Sequence, residues 1–503
     1  MTLLTLIPFL GALLIAILPS QEIGQASPGP LSDRSPKAAR WIGLSYMFGA
    51  LAVAALFAFR YDHAAGGIQF VERQDWIPSL GVQYFVGADG MSLMLILLTA
   101  IITPFAVLSA GPGISKLQIV LILLLETTLL GSFTALNFIH WFVYYELSLV
   151  PAFLLIRSAG TKAATTAALR FFIYTLLGGL AMLIGFIAIQ LATGTFDLVR
   201  LAEHGSLIDG KLTATFGWPS AGLLVFCCVF LGLAVKVPVV PFHTWLPDAY
   251  AEAPSSVTML LTGLMSKMGV YGFLRLLVPL FPQRMHDLST PLLWLSLATI
   301  IFSAFTALAQ TDLKRIFAYS SVNHLGYCLL GIFAVAAVPL GSPSARAAAT
   351  NGVLLQIFNH GLTAAALFCF VGFIERRSGG LRGMSDFGGL RTAAPVLAGL
   401  MGIAIFSSLG LPGLNGFVGE FLIFSGTFKL VWWSAALAAI GLFVTAVFLL
   451  NIIQKVFTGP LPERWAKFPD LTSAEILTVA PAIALMFVLG IYPQVLIALF
   501  NKP

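Results

Sequence analysis

The sequence predicts an all-α polytopic membrane protein of about fourteen transmembrane helices. Three observations lead there. Of 503 residues, 58% are apolar and only 10% charged, 27 Lys and Arg against 21 Asp and Glu. A water-soluble chain of this length carries about 125 charged residues at the usual quarter share. The mean hydropathy is +0.95, and the apolar residues gather in runs of about 20, the length that spans a hydrocarbon core. A soluble enzyme, a nucleic-acid binder and a disordered regulator are excluded. The pI near 9.1 is no sign of nucleic acid, because the basic residues sit in short loops between apolar runs.

The expected spans, α1 to α14 in chain order, fall within 2–19, 41–60, 91–109, 117–136, 138–157, 168–192, 219–248, 254–282, 291–310, 316–338, 347–374, 394–428, 431–456 and 475–500. The first lacks a charged start and a small-residue cleavage site, so it reads as a retained helix rather than a signal peptide. Cys227, Cys228, Cys328 and Cys369 lie inside apolar runs without a CxxC pattern, which argues against a metal cluster or a disulfide framework.

Lys and Arg in the loops set orientation. Loops after odd-numbered spans carry sixteen, from Arg34 to Lys467; the other side carries eight, from Arg60 to Lys502. The richer side is expected to face the cytoplasm and both termini the periplasm, in a bacterial inner (plasma) membrane.

Two spans are too long for one straight crossing. The α7 run contains KVPVVPFHTWLP, where Pro238 and Pro241 follow Lys236; the α12 run contains SLGLPGLNGFVGE, where Pro412 sits among four glycines. Proline removes an amide donor and clashes with the preceding turn, so both helices are expected to break. Breaks at membrane depth are tolerated where they line a protected cavity. They fall five spans apart, which suggests two inverted five-helix repeats, α4–α8 and α9–α13. The expected organisation is an N-terminal three-helix segment (1–110), a first repeat (117–282), a second, inverted repeat (291–456) and a C-terminal helix (475–500).

Few charges remain within the spans: Glu126 (α4), Glu146 (α5), Lys236 (α7), Lys267 (α8) and Glu420 (α12), with Arg275 nearer an end of α8. Ionisable groups at such depth are costly and default to functional candidates. With His324 (α10) and His360 (α11) they share one depth. Helices pack 8–10 Å apart, so the groups are expected to form a row in the membrane plane with waters in the gaps. Burial disfavours the charged form of Glu and Lys alike, and a neighbouring opposite charge restores it. Separating such a pair releases or captures a proton, and histidine passes one between its two nitrogens. The competing reading is structural: Glu126, His324 and His360 as hydrogen-bonded packing groups. His140 and His243, nearer helix ends, read as structural.

The segment LAVKVPVVPFHTWLPDAYAEAPSSVTMLLTGLMSKMGVYG, with FVYYELSLVPAFLLI, QTDLKRIFAYSSVNHLGY and LPGLNGFVGEFLIF, resembles the antiporter-like subunits of respiratory complex I and its relatives. Glu420, where L-type, N-type and Mrp D-type relatives typically carry lysine, is similar to the M type. So is an ending after α14 without a long lateral amphipathic helix. The resemblance implies that Glu146 and Lys236 form the input-side pair and that Lys267 is the central proton carrier. It further implies that His324 and His360 continue the axis and that Glu420 ends it, facing the next subunit. Glu126 joins this set as a secondary candidate. Tyr250 departs from the family, which often has His there, and no proton role is expected of Asp248 or Glu252. The resemblance implies NADH:quinone oxidoreductase activity at the level of a complex, with no redox chemistry and no cofactor in this chain. Flavin and iron–sulfur clusters are expected in partner subunits. The implied partners are other membrane-arm subunits, including L-type and N-type ones, together with lipid and protons. Rival readings are an Mrp-type Na⁺/H⁺ antiporter subunit, a haem-bearing subunit using His324 and His360, and a structural scaffold.

Overall fold

The computed structural model describes residues 1–19 and 37–500; Arg34 and Lys502 from the loop count lie outside them. Helices dominate. Those crossing as single rods are α2 (Lys37–Arg60), α3 (Gly90–Ala110), α4 (Lys116–Thr134), α5 (Phe138–Arg157), α6 (Lys162–Thr193), α8 (Ser255–Leu280), α9 (Ser289–Ala309), α10 (Leu313–Ala337), α11 (Pro343–Ser378), α13 (Trp432–Phe457) and α14 (Ser473–Ile491). These eleven are long and apolar enough to cross a membrane, or twelve if a bent pair is counted as one span. The expected fourteen is therefore not reached on length and apolarity. The difference lies in α1 (Thr2–Ile17), which has 16 residues, and in the two interrupted spans.

Both interruptions occur where proline predicts them. α7 runs Ala221–Lys236, breaks, and resumes at Trp245–Glu252; α12 runs Pro395–Ser408, breaks, and resumes at Asn415–Leu430. Neither half of α7 or α12 has the length of a full crossing. The helix before α7, Gly205–Phe216, meets its first half at 119°, so it turns away rather than extending the span.

Burial divides the spans. The best-apolar windows of α11, α8 and α10 are 100%, 94% and 83% enclosed by protein, against 28% for α2 and α14. The spans that carry Lys267, His324 and His360 are thus core, while peripheral helices turn apolar side chains outward, as bilayer contact requires.

Each face is closed by its own clamp. On one, an antiparallel hairpin, β1 (Gln69–Ile77) with β2 (Val82–Ala88), joins α2 to α3. Arg73 from the hairpin pairs with Asp197 at 2.8 Å, and Asp197 also caps the helix Leu198–Glu203. On the other face Arg382 meets Asp312 at 2.5 Å, Glu252 at 3.4 Å and Glu375 at 3.6 Å, while buried Lys314 reaches Glu375 at 3.1 Å. Asp248 and Glu252, given no proton role from sequence, serve here as partners for Arg170, Arg315 and Arg382.

Candidate functional site: buried charges at the two helix breaks

Around the first break, Lys236 is the last helical residue of the first half of α7, where carbonyls left without amide partners favour a cation. Its ammonium lies 4.5 Å above the Tyr145 ring. It has no hydrogen-bond partner among the described residues. Trp245, opening the second half, donates its indole N–H to the Val235 carbonyl at 3.0 Å and so bridges the break. Glu146 follows Tyr145 on α5. Both its carboxylate oxygens are buried without a partner among the described residues. Room for them comes from Gly179 of α6: a Cβ there would stand 1.8 Å from Oε1.

Glu126 is fully buried on α4. Thr103 of α3 donates to its Oε1 at 2.8 Å, and its Oε2 has no partner among the described residues.

The second group is contiguous. Lys267 stands between two wide turns of α8, Leu261–Met265 and Phe273–Leu277, in which the backbone bonds skip to the fifth residue. Such turns recur at functional sites. Lys267 donates to the Thr262 carbonyl, approaches Ser266 Oγ at 3.3 Å and reaches His360 Nδ1 at 2.8 Å. The rings of His360 and His324 are 5.1 Å apart, tilted by 40°. His324 Nδ1 lies 3.0 Å from Glu420 Oε1, and its Nε2 lies 3.2 Å from Ser408 Oγ beside the α12 break. Gln356 donates to Glu420 Oε1 at 3.2 Å. Gly410, at φ +80°, lets the chain turn next to the Glu420 carboxylate, whose Oε2 would lie 2.9 Å from a Cβ there.

Six of the seven residues singled out by charge and depth therefore stand at or between the two breaks, while Glu126 sits apart with its threonine. The expectation of a water-filled gap at every step needs correction. From Lys267 to Glu420 the side chains touch or stack, because α8, α10, α11 and α12 pack closely around short residues. Between Lys236 and Lys267 the contact is apolar: Leu233 and Val237 of α7 press on Gly272 and Gly269 of α8. Sequence reading missed Gln356, Ser408, Tyr145 and Thr103, uncharged groups that carry no signal in a count of buried charge. Among the described residues, no group of three or more His, Cys, Asp or Glu side chains is placed to share a metal ion.

Comparison with known proteins identifies the family of the chain. The family described as "NADH:quinone oxidoreductase/Mrp antiporter, TM" matches residues 135–448. NADH-quinone oxidoreductase subunit M of Rhodobacter capsulatus is 34% identical over 502 residues, 98% of this chain and 93% of the relative. The subunit M of Mycobacterium tuberculosis is 32% identical over 538 aligned positions, covering 100% and 92%. A chain of respiratory complex I from Thermus thermophilus superposes with a TM-score of 0.82 at 28% identity, covering 99% of this chain and 98% of that one. A chain of the Mrp complex from Dietzia sp. shares the fold, with a TM-score of 0.82 at 21% identity. The chain is an integral membrane protein that belongs to the NADH:quinone oxidoreductase/Mrp antiporter transmembrane family, on its subunit M branch.

Proposed function

We propose that this chain is a proton-translocating membrane-arm subunit of a redox-driven NADH:quinone oxidoreductase. The observation that carries the reading is the unbroken line of side chains Lys267, His360, His324 and Glu420 through the core. Each can hold or pass a proton, and each is buried. Glu146 and Lys236 form the input pair. Their unpartnered heads make each charged form depend on the other, so a field that separates them shifts protons. Lys267 receives the proton, the two imidazoles relay it, and Glu420 ends the line toward the neighbouring subunit. Glu126, with one threonine, is a lateral proton store. The segments 117–282 and 291–456 act as two inverted repeats, each contributing one break.

The partners are other membrane-arm subunits, L-type and N-type among them. Flavin, iron–sulfur clusters and the NADH site belong to other chains of the complex, so the redox chemistry is theirs. The membrane is a bacterial inner membrane with both termini on the periplasmic side. Occupation of both His324 nitrogens by Glu420 and Ser408 weighs against its use as a haem ligand.

The test is proton pumping by the complex in proteoliposomes. Glu146→Ala and Lys236→Ala are expected to assemble and to lose most or all pumping, with Glu146→Asp keeping part of it. Wild-type proton-to-electron stoichiometry in an assembled Ala variant would sink the assigned roles. Obligatory Na⁺ exchange by the wild type would favour the Mrp-type alternative.

A further inference from the structure

A groove of about 340 Å³ opens between the ends of α8, α10 and α11, on the face that carries fewer basic loop residues. Its wall is apolar: Leu274 and Val278 from α8, Ile332 and Val335 from α10, and Val353 from α11. Arg346, in the first turns of α11, stands at its edge. This guanidinium donates to the Pro339 carbonyl, but its Nε is buried with no hydrogen-bond partner, and no carboxylate pairs with it among the described residues. A buried guanidinium donor without an acceptor is costly. The groove therefore combines an apolar wall with one cation among its lining residues that no carboxylate neutralises among the described residues.

We infer that this groove holds one anionic phospholipid, with its phosphate on Arg346 and an acyl chain along α8, α10 and α11. The two halves of such a lipid match the two halves of the groove. A planar guanidinium binds phosphate oxygens through several N–H groups at once, and apolar side chains at this depth are already solvated by acyl chains. A helix of a neighbouring subunit would fill the trough but would need a carboxylate to satisfy Arg346.

The position gives such a lipid a purpose. The groove is lined by the three helices that carry Lys267, His324 and His360. Leu274 belongs to the wide turn Phe273–Leu277 that follows Lys267. An acyl chain wedged there braces α8 against α10 and α11 and fixes the spacing of the Lys267–His360 contact. This last step rests on the proton-transfer reading; the lipid site itself does not.

The experiment uses the whole complex, reconstituted with a photoactivatable phosphatidylglycerol and mapped by mass spectrometry. Cross-links are expected on residues 274–285 and 332–353. Arg346→Ala should lower their yield by about fivefold or more, the factor for one basic side chain at a membrane surface. Val335→Trp, which fills the trough and keeps the arginine, should abolish them. Absence of cross-links there in the wild-type complex, or equal yields in wild type and both variants, overturns the site. So does a cross-linker that captures a neighbouring subunit at Val335 in place of lipid. Pumping by Val335→Trp is read separately. Loss of cross-links with unchanged proton stoichiometry keeps the lipid site and overturns the bracing role.

Discussion

At the α7 break Lys236 rests on an aromatic ring, and Glu146 has two buried oxygens without partners among the described residues. At the α12 break Glu420 takes a hydrogen bond from Gln356 and lies 3.0 Å from His324 Nδ1, and His324 is held in turn by Ser408. Each acid sits against a glycine, Gly179 for one and Gly410 for the other, yet one is unsatisfied and the other clasped. An unmet hydrogen bond on a buried charged group costs about 1–3 kcal/mol or more. The first break therefore holds its charged groups without direct hydrogen bonds among the described residues, so their protonation depends on each other and on small movements. The second is at rest. Under the proposed function the two sites take different parts: the first is the one whose protonation is easily tipped, and the second passes the proton along side chains already in contact.

The largest effect that can break this contrast is at the joint between the two regions. Lys267→Met removes the donor that reaches Thr262, Ser266 and His360 and nearly keeps the side-chain length. Proton pumping is expected to fall to the background leak while the complex assembles. ΔpH formation in proteoliposomes reads it, and normal pumping would mean that the clasped line is scaffolding.

Next in size is Gly179→Ala. The position is helical, so alanine is locally favourable by about 1 kcal/mol. Its Cβ would nonetheless lie 1.8 Å from Glu146 Oε1, and the carboxylate must swing away. Stable assembly with about a tenfold loss of pumping is expected, on the scale of a misplaced proton-transfer group. An unchanged rate would show that Glu146 works from another rotamer. At the second break, Gln356→Leu keeps the direct His324–Glu420 contact and removes the amide that steadies it. A loss of about threefold is expected, since one charge-assisted bond of about 1.5–3 kcal/mol is lost but the path remains. A collapse as deep as that of Lys267→Met would make Gln356 part of the path.

The same contrast governs what the sequence discloses. Charges deep in apolar runs stand out, so Glu146, Lys236, Lys267 and Glu420 were legible, as were the two breaks, because proline acts through local covalent geometry. Packing distance was not. The direct Lys267–His360 contact depends on how α8 lies against α11, and no spacing within one helix encodes it. The wide turns around Lys267 use the same residues as ordinary helix and leave no compositional mark. Gln356 and Ser408 look like unremarkable polar residues until Glu420 is seen beside them. The hairpin of β1 and β2 went unread for a different reason: most of β1 is exposed, so it lacks the apolar alternation that announces a strand.

The smallest predicted effect sharpens the comparison most finely. Tyr145→Leu keeps an apolar side chain of moderate size next to Glu146 and removes the ring face under Lys236. A desolvated cation–π contact is worth about 2 kcal/mol, and this one holds the Lys236 ammonium, which has no hydrogen-bond partner among the described residues. If the first break works because its charges are barely held, removing that contact should slow pumping by about twofold without abolishing it. Tyr145→Phe keeps the ring and gives up only the hydroxyl, whose bond to the Gly232 carbonyl is long at 3.4 Å, so it should pump nearly as wild type. Phe behaving like Leu would shift the role from the ring to the hydroxyl. Both behaving like wild type would mean that Lys236 is held by something other than the aromatic face, and that the two breaks differ less than their contacts suggest.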